Sequence, residues 1–328
     1  MKPLNLKYRP KKFKDIIGQK HTIKIIKNML KNKILNNTIL LHGYYGSGKT
    51  TCARIISKYI NKKIKNKIII NNNIIEINAS INNSIEDIKK INKNILIETE
   101  GKKIFIIDEI HMFSKSAFNG FLKILEEPPY NVLFILITTK YNKIPSTILS
   151  RCNTFYFKKI SKKNIYKYIK KISKLENINI TSKALKIISK ISNGSLRDAL
   201  IFINKYIYIP KKINSKLIKK NFLIINNNKI KKIFYYIKKL NIKKTLIYYN
   251  YIINKYYNYK NFLYYIYKYI KKKIFKNKYN IFKNKTLLYI IKLIYKFNII
   301  LTKNNNKYII ELFLIKIILY LKKYKKFK

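Results

Sequence analysis

The densest chemistry in the chain lies at Gly43-Tyr44-Tyr45-Gly46-Ser47-Gly48-Lys49-Thr50. These residues read G-x-x-x-x-G-K-T, a spacing suited to holding phosphate. Its three glycines let successive backbone N–H groups turn inward around phosphate oxygens. A helix beginning at Lys49 would add the partial positive charge of its N-terminus. Lys49 can reach the β and γ phosphates of ATP, and the Thr50 hydroxyl can ligate Mg²⁺. Thr51 follows in the first helical turn. ATP and Mg²⁺ are therefore the expected cofactors.

A second centre is Asp108-Glu109, directly after Ile104-Phe105-Ile106-Ile107. Four apolar residues ending in two acids read as a buried parallel strand that delivers carboxylates to the sheet's C-terminal edge. Asp108 is placed to hold Mg²⁺ through water, and Glu109 to polarise an attacking water as general base. A third strand, Asn131 to Thr139, ends in Thr138-Thr139. A hydroxyl there would face the γ-phosphate. Thr139 is the candidate catalytic residue, and the local sequence leaves the choice between it and Thr138 open.

Composition sharpens the search. The chain carries 73 Lys and Arg against 13 Asp and Glu, a net charge of +60. Such charge suits nucleic acid or another anionic surface. Yet Lys, Asn, Ile and Tyr are over-used together, which A/T-rich codons would also produce. Residues that resist this drift stand out. Arginine occurs only as Arg9, Arg54, Arg151 and Arg197, and arginine is not replaceable by lysine at bidentate phosphate contacts. Arg197 follows Asn193-Gly194-Ser195-Leu196 and falls in the first turn of a helix, where the dipole disfavours a cation unless a phosphate offsets it.

The elements that must position these residues follow from the pattern. Thr38 to His42 suits a buried strand, and Ile55, Ile56, Tyr59 and Ile60 give the following helix, Lys49 to Ile60, its spacing. Helices are expected near His21 to Leu30, over Ser84 to Asn94 with Ser84 as cap, and over Ser116 to Glu127, stopped by Pro128-Pro129. Strands are expected at Ile74 to Ile77 and Thr154 to Phe157, and two helices between Ser161 and Ser192. A composition break comes near Pro210. From Lys211 to Lys328 there is no Arg, Gly, Pro, Asp, Ala, His or Cys, and Glu311 is the only acid. Helical faces such as Ile233, Tyr236, Ile237 and Leu240, or Ile310, Leu314, Ile317 and Leu321, predict four to six helices without a catalytic site. Lys322 to Lys328 reads as a frayed tail.

At 328 residues the chain has room for two or three domains. Its two cysteines, Cys52 and Cys152, make a disulfide framework unexpected. Cys152 reads as a small buried hydrophobe. No uncharged apolar stretch approaches the ~20 residues that span a bilayer, and no secretory signal is legible, so a cytoplasmic protein without membrane contact is expected.

Together these motifs resemble the AAA+ ATPases of clamp loaders, and among them the gamma/tau subunits of bacterial DNA polymerase III. The resemblance rests on Tyr8-Arg9-Pro10, Ile17-Gly18-Gln19, the loop Gly43 to Thr50 and Asp108-Glu109-Ile110-His111-Met112. It continues in Leu125-Glu126-Glu127-Pro128-Pro129, Ser150-Arg151-Cys152 and Gly194-Ser195-Leu196-Arg197-Asp198-Ala199. It covers residues 1 to about 205; beyond them it is only positional.

The resemblance implies an α/β AAA+ domain at 1–160, a P-loop parallel sheet flanked by helices. It implies a small helical lid at 161–209 and an all-helical collar at 210–328. The Arg9 segment should lie near the nucleotide. Thr138 or Thr139 looks like sensor 1, and Arg197 like sensor 2. Arg151 looks like the arginine finger that acts on a neighbouring subunit's ATP. Similar proteins join a five-membered ring with other clamp-loader subunits and use ATP to load a sliding clamp on primer-template DNA during replication.

Two departures matter. The four-cysteine zinc module of bacterial relatives has no counterpart in Asn61 to Asn73, so no zinc site is expected. The pattern gives no expectation of a tau-specific extension either, so coupling to the polymerase core is not implied. Two other functions compete: another AAA+ DNA motor of the branch-migration type, and a basic DNA-binding scaffold that hydrolyses nothing. The Ser-Arg-Cys and Asp-Glu-Ile-His motifs argue against the first. Intact Lys49, Asp108, Glu109 and Arg151 argue against the second.

Overall fold

A computed structural model describes residues 2–32, 34–61, 73–97, 100–209, 212–223, 225, 227–256, 259–276, 281–304 and 306–326. The chain divides into two compact units, Met1–Asn214 and Ser215–Lys328. Most of the stretch Asn61 to Asn73 lies outside the described residues.

The first unit is built on five parallel strands: β1 (Thr38–Gly43), β2 (Ile74–Asn78), β3 (Lys103–Asp108), β4 (Val132–Thr138) and β5 (Asn153–Phe157). Their order across the sheet is β2-β3-β4-β1-β5. A parallel sheet is covered on both faces, which is why its inner strands read as continuous apolar runs. The pleat then sorts alternate residues. Leu40, Phe105, Ile107, Phe134 and Leu136 pack on one side. Ile39, Leu41, Ile104, Ile106 and Ile135 pack on the other.

Helices cover both faces. On the first face lie α4 (Ile85–Leu96), through Ile88 and Ile91, and α5 (Lys115–Glu126), through Phe121 and Leu125. On the second lie α2 (Lys20–Lys31), through Ile23 and Ile26, and α3 (Lys49–Ile60), through Cys52 and Ile56. The capping box expected for α4 is present: the Ser84 hydroxyl accepts from Asp87 N, and the Asp87 carboxylate accepts from Ser84 N. Helix α5 starts one residue earlier than the pattern suggests. Ser114 caps it by accepting from Ala117 N at 3.1 Å, so Ser116 falls inside the first turn.

The unit is completed by α1 (Leu4–Lys7), α6 (Ser146–Leu149) and three helices after the sheet: α7 (Lys162–Leu175), α8 (Ser182–Ile191) and α9 (Leu196–Asn204). Asn193 and Gly194 both take positive φ, +47° and +96°, and end α8 as a helix stop should.

The second unit holds six helices among the described residues: α10 (Ser215–Asn221), α11 (Asn227–Lys238), α12 (Ile242–Tyr256), α13 (Tyr259–Lys276), α14 (Ile281–Lys303) and α15 (Lys307–Lys326). They enclose a core of their own. Ile233 and Ile237 of α11 and Ile310, Leu314 and Ile317 of α15 are buried in it. Helix α15 runs on to Lys326, so the basic stretch expected to fray is helical over most of its length. Lysine is a good helix former, and the apolar stripe of α15 carries the helix up to it. No helix among the described residues is long and apolar enough to cross a membrane.

Candidate nucleotide site

Parallel pairing places the C-terminal ends of β1, β3 and β4 side by side. His42 pairs with Thr138, and Ile107 with Leu136. The loop after β1, the acids after β3 and the threonines after β4 therefore meet at one edge, as ligand sites of open parallel sheets do. A cavity of about 360 Å³ opens there.

Tyr45, Gly46, Ser47, Gly48, Lys49, Thr50 and Thr51 line it, with Arg9, Arg54, Asp108, Glu109, Thr139 and Arg197. Gly43 and Tyr44, also expected to bind the cofactor, do not line it. Gly43 backs onto β5, where an added Cβ would fall 2.3 Å from the Phe157 carbonyl oxygen. The Tyr44 ring turns to the segments around Lys159 and Asn193: its hydroxyl accepts from Asn193 Nδ2 at 3.1 Å, and Lys159 Nζ sits 4.2 Å from its centroid. Both residues reach the site only through their carbonyls, which accept from Lys49 Nζ at 3.0 and 2.9 Å.

Lys49 is buried, at 6% exposure. Desolvation pulls its pKa below the ordinary lysine value, opposed by Glu109 and Asp108. Thr50 Oγ1 donates to Asp108 Oδ2 at 2.8 Å, while Asp108 Oδ1 accepts from Glu109 N at 3.0 Å. These adjacent hard oxygens fit a Mg²⁺ ion, which uses one or two protein oxygens plus substrate phosphates and water. That fits the absence, among the described residues, of any cluster of three acidic, His or Cys side chains able to hold a metal alone.

Glu109 takes a left-handed backbone, φ +54°, a strained conformation of the kind found at functional sites. Its Oε2 accepts from Thr139 Oγ1 at 3.0 Å and lies 3.2 Å from His111 Nδ1. The same His111 nitrogen lies 3.1 Å from Thr138 Oγ1. Burial lowers the His111 pKa more than Glu109 raises it. Thr138 ends β4 fully buried, and Thr139, one residue on, turns to the cavity.

Three of the four arginines surround the cavity. Arg9 Nε donates to Thr51 Oγ1 at 3.2 Å. Burial lowers its pKa first, Arg54 next, and Arg197 also contributes. Arg197 stands 5.8 Å from the Tyr45 ring centroid. Arg54, to which the sequence assigned no role, pairs with Glu76, and its Nε is buried without a partner. Its signal was the scarcity of arginine itself. Three guanidinium groups and an ammonium against two carboxylates make a cavity for a polyanion.

The fourth, Arg151, does not line the cavity. Its Nη1 donates to the Thr147 carbonyl at 2.9 Å and its Nη2 to Glu126 Oε1 at 3.2 Å, both side chains partly exposed. Apolar walls come from Pro10, Ile16, Ile17, Ile160 and Leu200, which the phosphate motifs could not indicate. Cys152 lies outside the lining, partly buried, and burial pushes its thiol up to about 12.

The chain has relatives among known proteins. The family described as DNA polymerase III, delta subunit, matches residues 18–161. The DNA polymerase III subunit gamma/tau of Mycoplasma genitalium is 39% identical over 240 residues, 68% of this chain and 40% of that one. The DNA polymerase III subunit gamma of Buchnera aphidicola (subsp. Schizaphis graminum) is 39% identical over 229 residues, 64% of this chain and 62% of that one. Over the aligned residues the chain is similar to DNA polymerase III gamma and gamma/tau subunits. It spans less than two thirds of the length of these gamma/tau relatives. The family match to a delta subunit names another subunit of the same enzyme and stops at residue 161.

The fold is AAA+. The RuvB Holliday junction branch migration motor of Thermotoga maritima superposes with a TM-score of 0.52 at 22% identity, covering 70% of this chain and 79% of that one. At that identity the likeness is one of fold, and sequence places the chain with the gamma/tau relatives.

Proposed function

We propose that this protein is an ATPase subunit of a DNA polymerase III clamp loader, binding and hydrolysing ATP to load a sliding clamp on primed DNA. The observation that carries the reading is a single cavity in which Thr50–Asp108 and Glu109–Thr139 meet Lys49, Arg9 and Arg197, in a chain of gamma/tau sequence.

Each residue has work to do. Backbone N–H groups from Gly46 to Thr50 and the N-terminus of α3 take the phosphates. Lys49 trades two loop carbonyls for phosphate oxygens. Thr50 and Asp108 hold Mg²⁺, which offsets phosphate charge when bound. Glu109 takes a proton from the attacking water while Thr139 keeps its carboxylate in place. Arg9 and Arg197 neutralise phosphate charge from the N-terminal segment and the lid. Pro10, Ile16 and Ile17 give the base an apolar seat. Arg151, outside its own cavity, acts on the ATP of a neighbouring subunit. Helices α7 to α9 serve as the lid, and the second unit as the collar of a five-membered ring in the cytoplasm.

The test is ATP turnover with and without a cognate sliding clamp and primed DNA, for the wild type and Arg151→Ala. Clamp- and DNA-stimulated turnover should fall by about 10³-fold or more in the variant, the size of known arginine-finger effects. ATP affinity should stay unchanged, because Arg151 lies outside the cavity. Its partly exposed pair with Glu126 contributes ~1 kcal/mol at most, so the fold survives. Turnover that ignores the clamp and survives the mutation would sink the reading.

A further inference from the structure

Arg9 carries its charge into a partly buried cavity that holds two other guanidinium groups. Burial and the like charges of Arg54 and Arg197 act against it, with Glu76 and Asp108 attracting it, and its side-chain hydrogen bond is to the neutral Thr51 hydroxyl. Something must hold it there, and the residues just before it are held firmly.

Tyr8, its neighbour, donates its hydroxyl to Glu176 Oε1. Lys7 Nζ lies 2.6 Å from the same oxygen. The Tyr8 carbonyl accepts from the Tyr168 hydroxyl at 3.1 Å, and Leu4 N donates to Asn204 Oδ1 at 3.1 Å. Leu4 is 1% exposed. Every one of these partners is a lid residue: Tyr168 on α7, Glu176 just past its end, Asn204 ending α9.

Glu176 is an odd residue for its place. It is the C-cap of α7, where the helix dipole disfavours an anion, in a chain with 13 acids to 73 bases. Its side chain is only 9% exposed, against 49% for Lys7. A carboxylate so placed needs partners, and the Lys7 ammonium and Tyr8 hydroxyl supply them. These hydrogen bonds, Lys7 first, hold its pKa below the usual carboxylate value, and the Tyr8 hydroxyl is pushed up to about 12. The clasp is therefore a phenol donating to a carboxylate throughout the neutral range.

We infer that Glu176, acting through Tyr8, positions Arg9 in the nucleotide cavity against the repulsion of Arg54 and Arg197, so that the N-terminal strap couples the lid to ATP affinity. The inference rests on the ATP reading of the cavity. The strap spans three parts of the first unit: Arg9 on the α3 hydroxyl, Tyr8 on α7 and Leu4 on α9. A lid that shifts must carry Arg9 with it or break the clasp.

The test is calorimetric titration with ATP and Mg²⁺ of the full chain, comparing wild type, Arg9→Ala, Glu176→Ala, Tyr8→Phe and the Arg9→Ala/Glu176→Ala pair. Arg9→Ala should weaken ATP binding by about 10-fold, as loss of one charged hydrogen bond does. Glu176→Ala and Tyr8→Phe should each weaken it by about 3- to 10-fold, and the double variant should bind no worse than Arg9→Ala alone. A merely structural Glu176 would lower the melting temperature and leave that affinity pattern untouched. Two results overturn the inference alone: wild-type affinity in both Glu176→Ala and Tyr8→Phe, or Glu176→Ala losses that multiply with those of Arg9→Ala. Should Glu176→Ala not fold, Tyr8→Phe, which removes one oxygen and keeps the ring, decides by its own affinity. A wild type that binds no ATP overturns the cavity reading together with the inference.

Discussion

The ammonium of Lys49 has left water for two carbonyl oxygens of its own loop, and its pKa is lowered mainly by that burial. Burying a charge costs stability unless paired; here the hydrogen-bond partners are neutral carbonyls, and the attraction of Glu109 and Asp108 does not restore the ordinary pKa. In the absence of nucleotide, Lys49→Met should therefore raise the melting temperature, by about 2–4 °C for each kcal/mol relieved. It should also abolish the further rise that ATP produces in the wild type. The sign with pH follows. A lysine whose folded pKa is depressed binds fewer protons folded than unfolded in the window below the ordinary value of 10.5. Wild-type stability should thus gain on Lys49→Met as pH rises through that window. Thermal melts at pH 7 and at about pH 10 check both statements. A variant that melts lower than wild type at pH 7 would show Lys49 held by attraction that outweighs its burial.

At the scale of elements, the phosphate loop and the start of α9 lean on each other through one glycine. Gly46 has φ +66°, and a Cβ there would fall 2.1 Å from Ser195 Oγ and 2.9 Å from Ser195 Cβ. The Gly46 carbonyl also accepts from Leu196 N, the first residue of α9, at 3.1 Å. Gly46→Ala should cost about 1–3 kcal/mol, part from the left-handed backbone and part from the clash. Ser195→Gly removes the colliding atoms at a cost of a few tenths of a kcal/mol as an N-cap. The double variant should therefore be more stable than the sum of the single losses, read as a denaturant-unfolding cycle. Strict additivity would mean that the loop and the start of α9 do not press on each other at this point.

At the scale of the molecule, each unit encloses a core of its own: two sheet-face clusters in Met1–Asn214 and one helical cluster in Ser215–Lys328. Every residue lining the nucleotide cavity lies in the first. A chain ending at Asn214 should fold and bind ATP with an affinity within about threefold of the full chain, a change under ~1 kcal/mol. On the collar reading of the second unit, it should lose assembly with other subunits. Calorimetry and sedimentation measure the two properties separately. A chain that loses ATP binding would mean that the second unit supports the cavity.

Much of this was legible along the chain because it is local. The loop Gly43 to Thr50, the acids after an apolar strand and the helix starting at Lys49 are contiguous patterns, and a pattern of a few residues sets its own backbone through glycine freedom, pleat and capping. The four arginines could be picked out because a lysine-rich chain keeps them rarely. What the sequence left open are relations between distant residues. Thr50 and Asp108 are 58 positions apart and become partners only through a strand order that puts β4 between β1 and β3. Thr139 rather than Thr138 meets Glu109 because one step along an extended chain reverses the side chain's direction. Gly43 and Tyr44 belong to the motif yet turn from the cavity because β5 crowds Gly43 and Asn193 engages the Tyr44 hydroxyl. The clasp of Glu176 on Tyr8 joins residues 168 positions apart. Local patterning specifies elements and the groups they carry, but only packing decides which of those groups share a cavity.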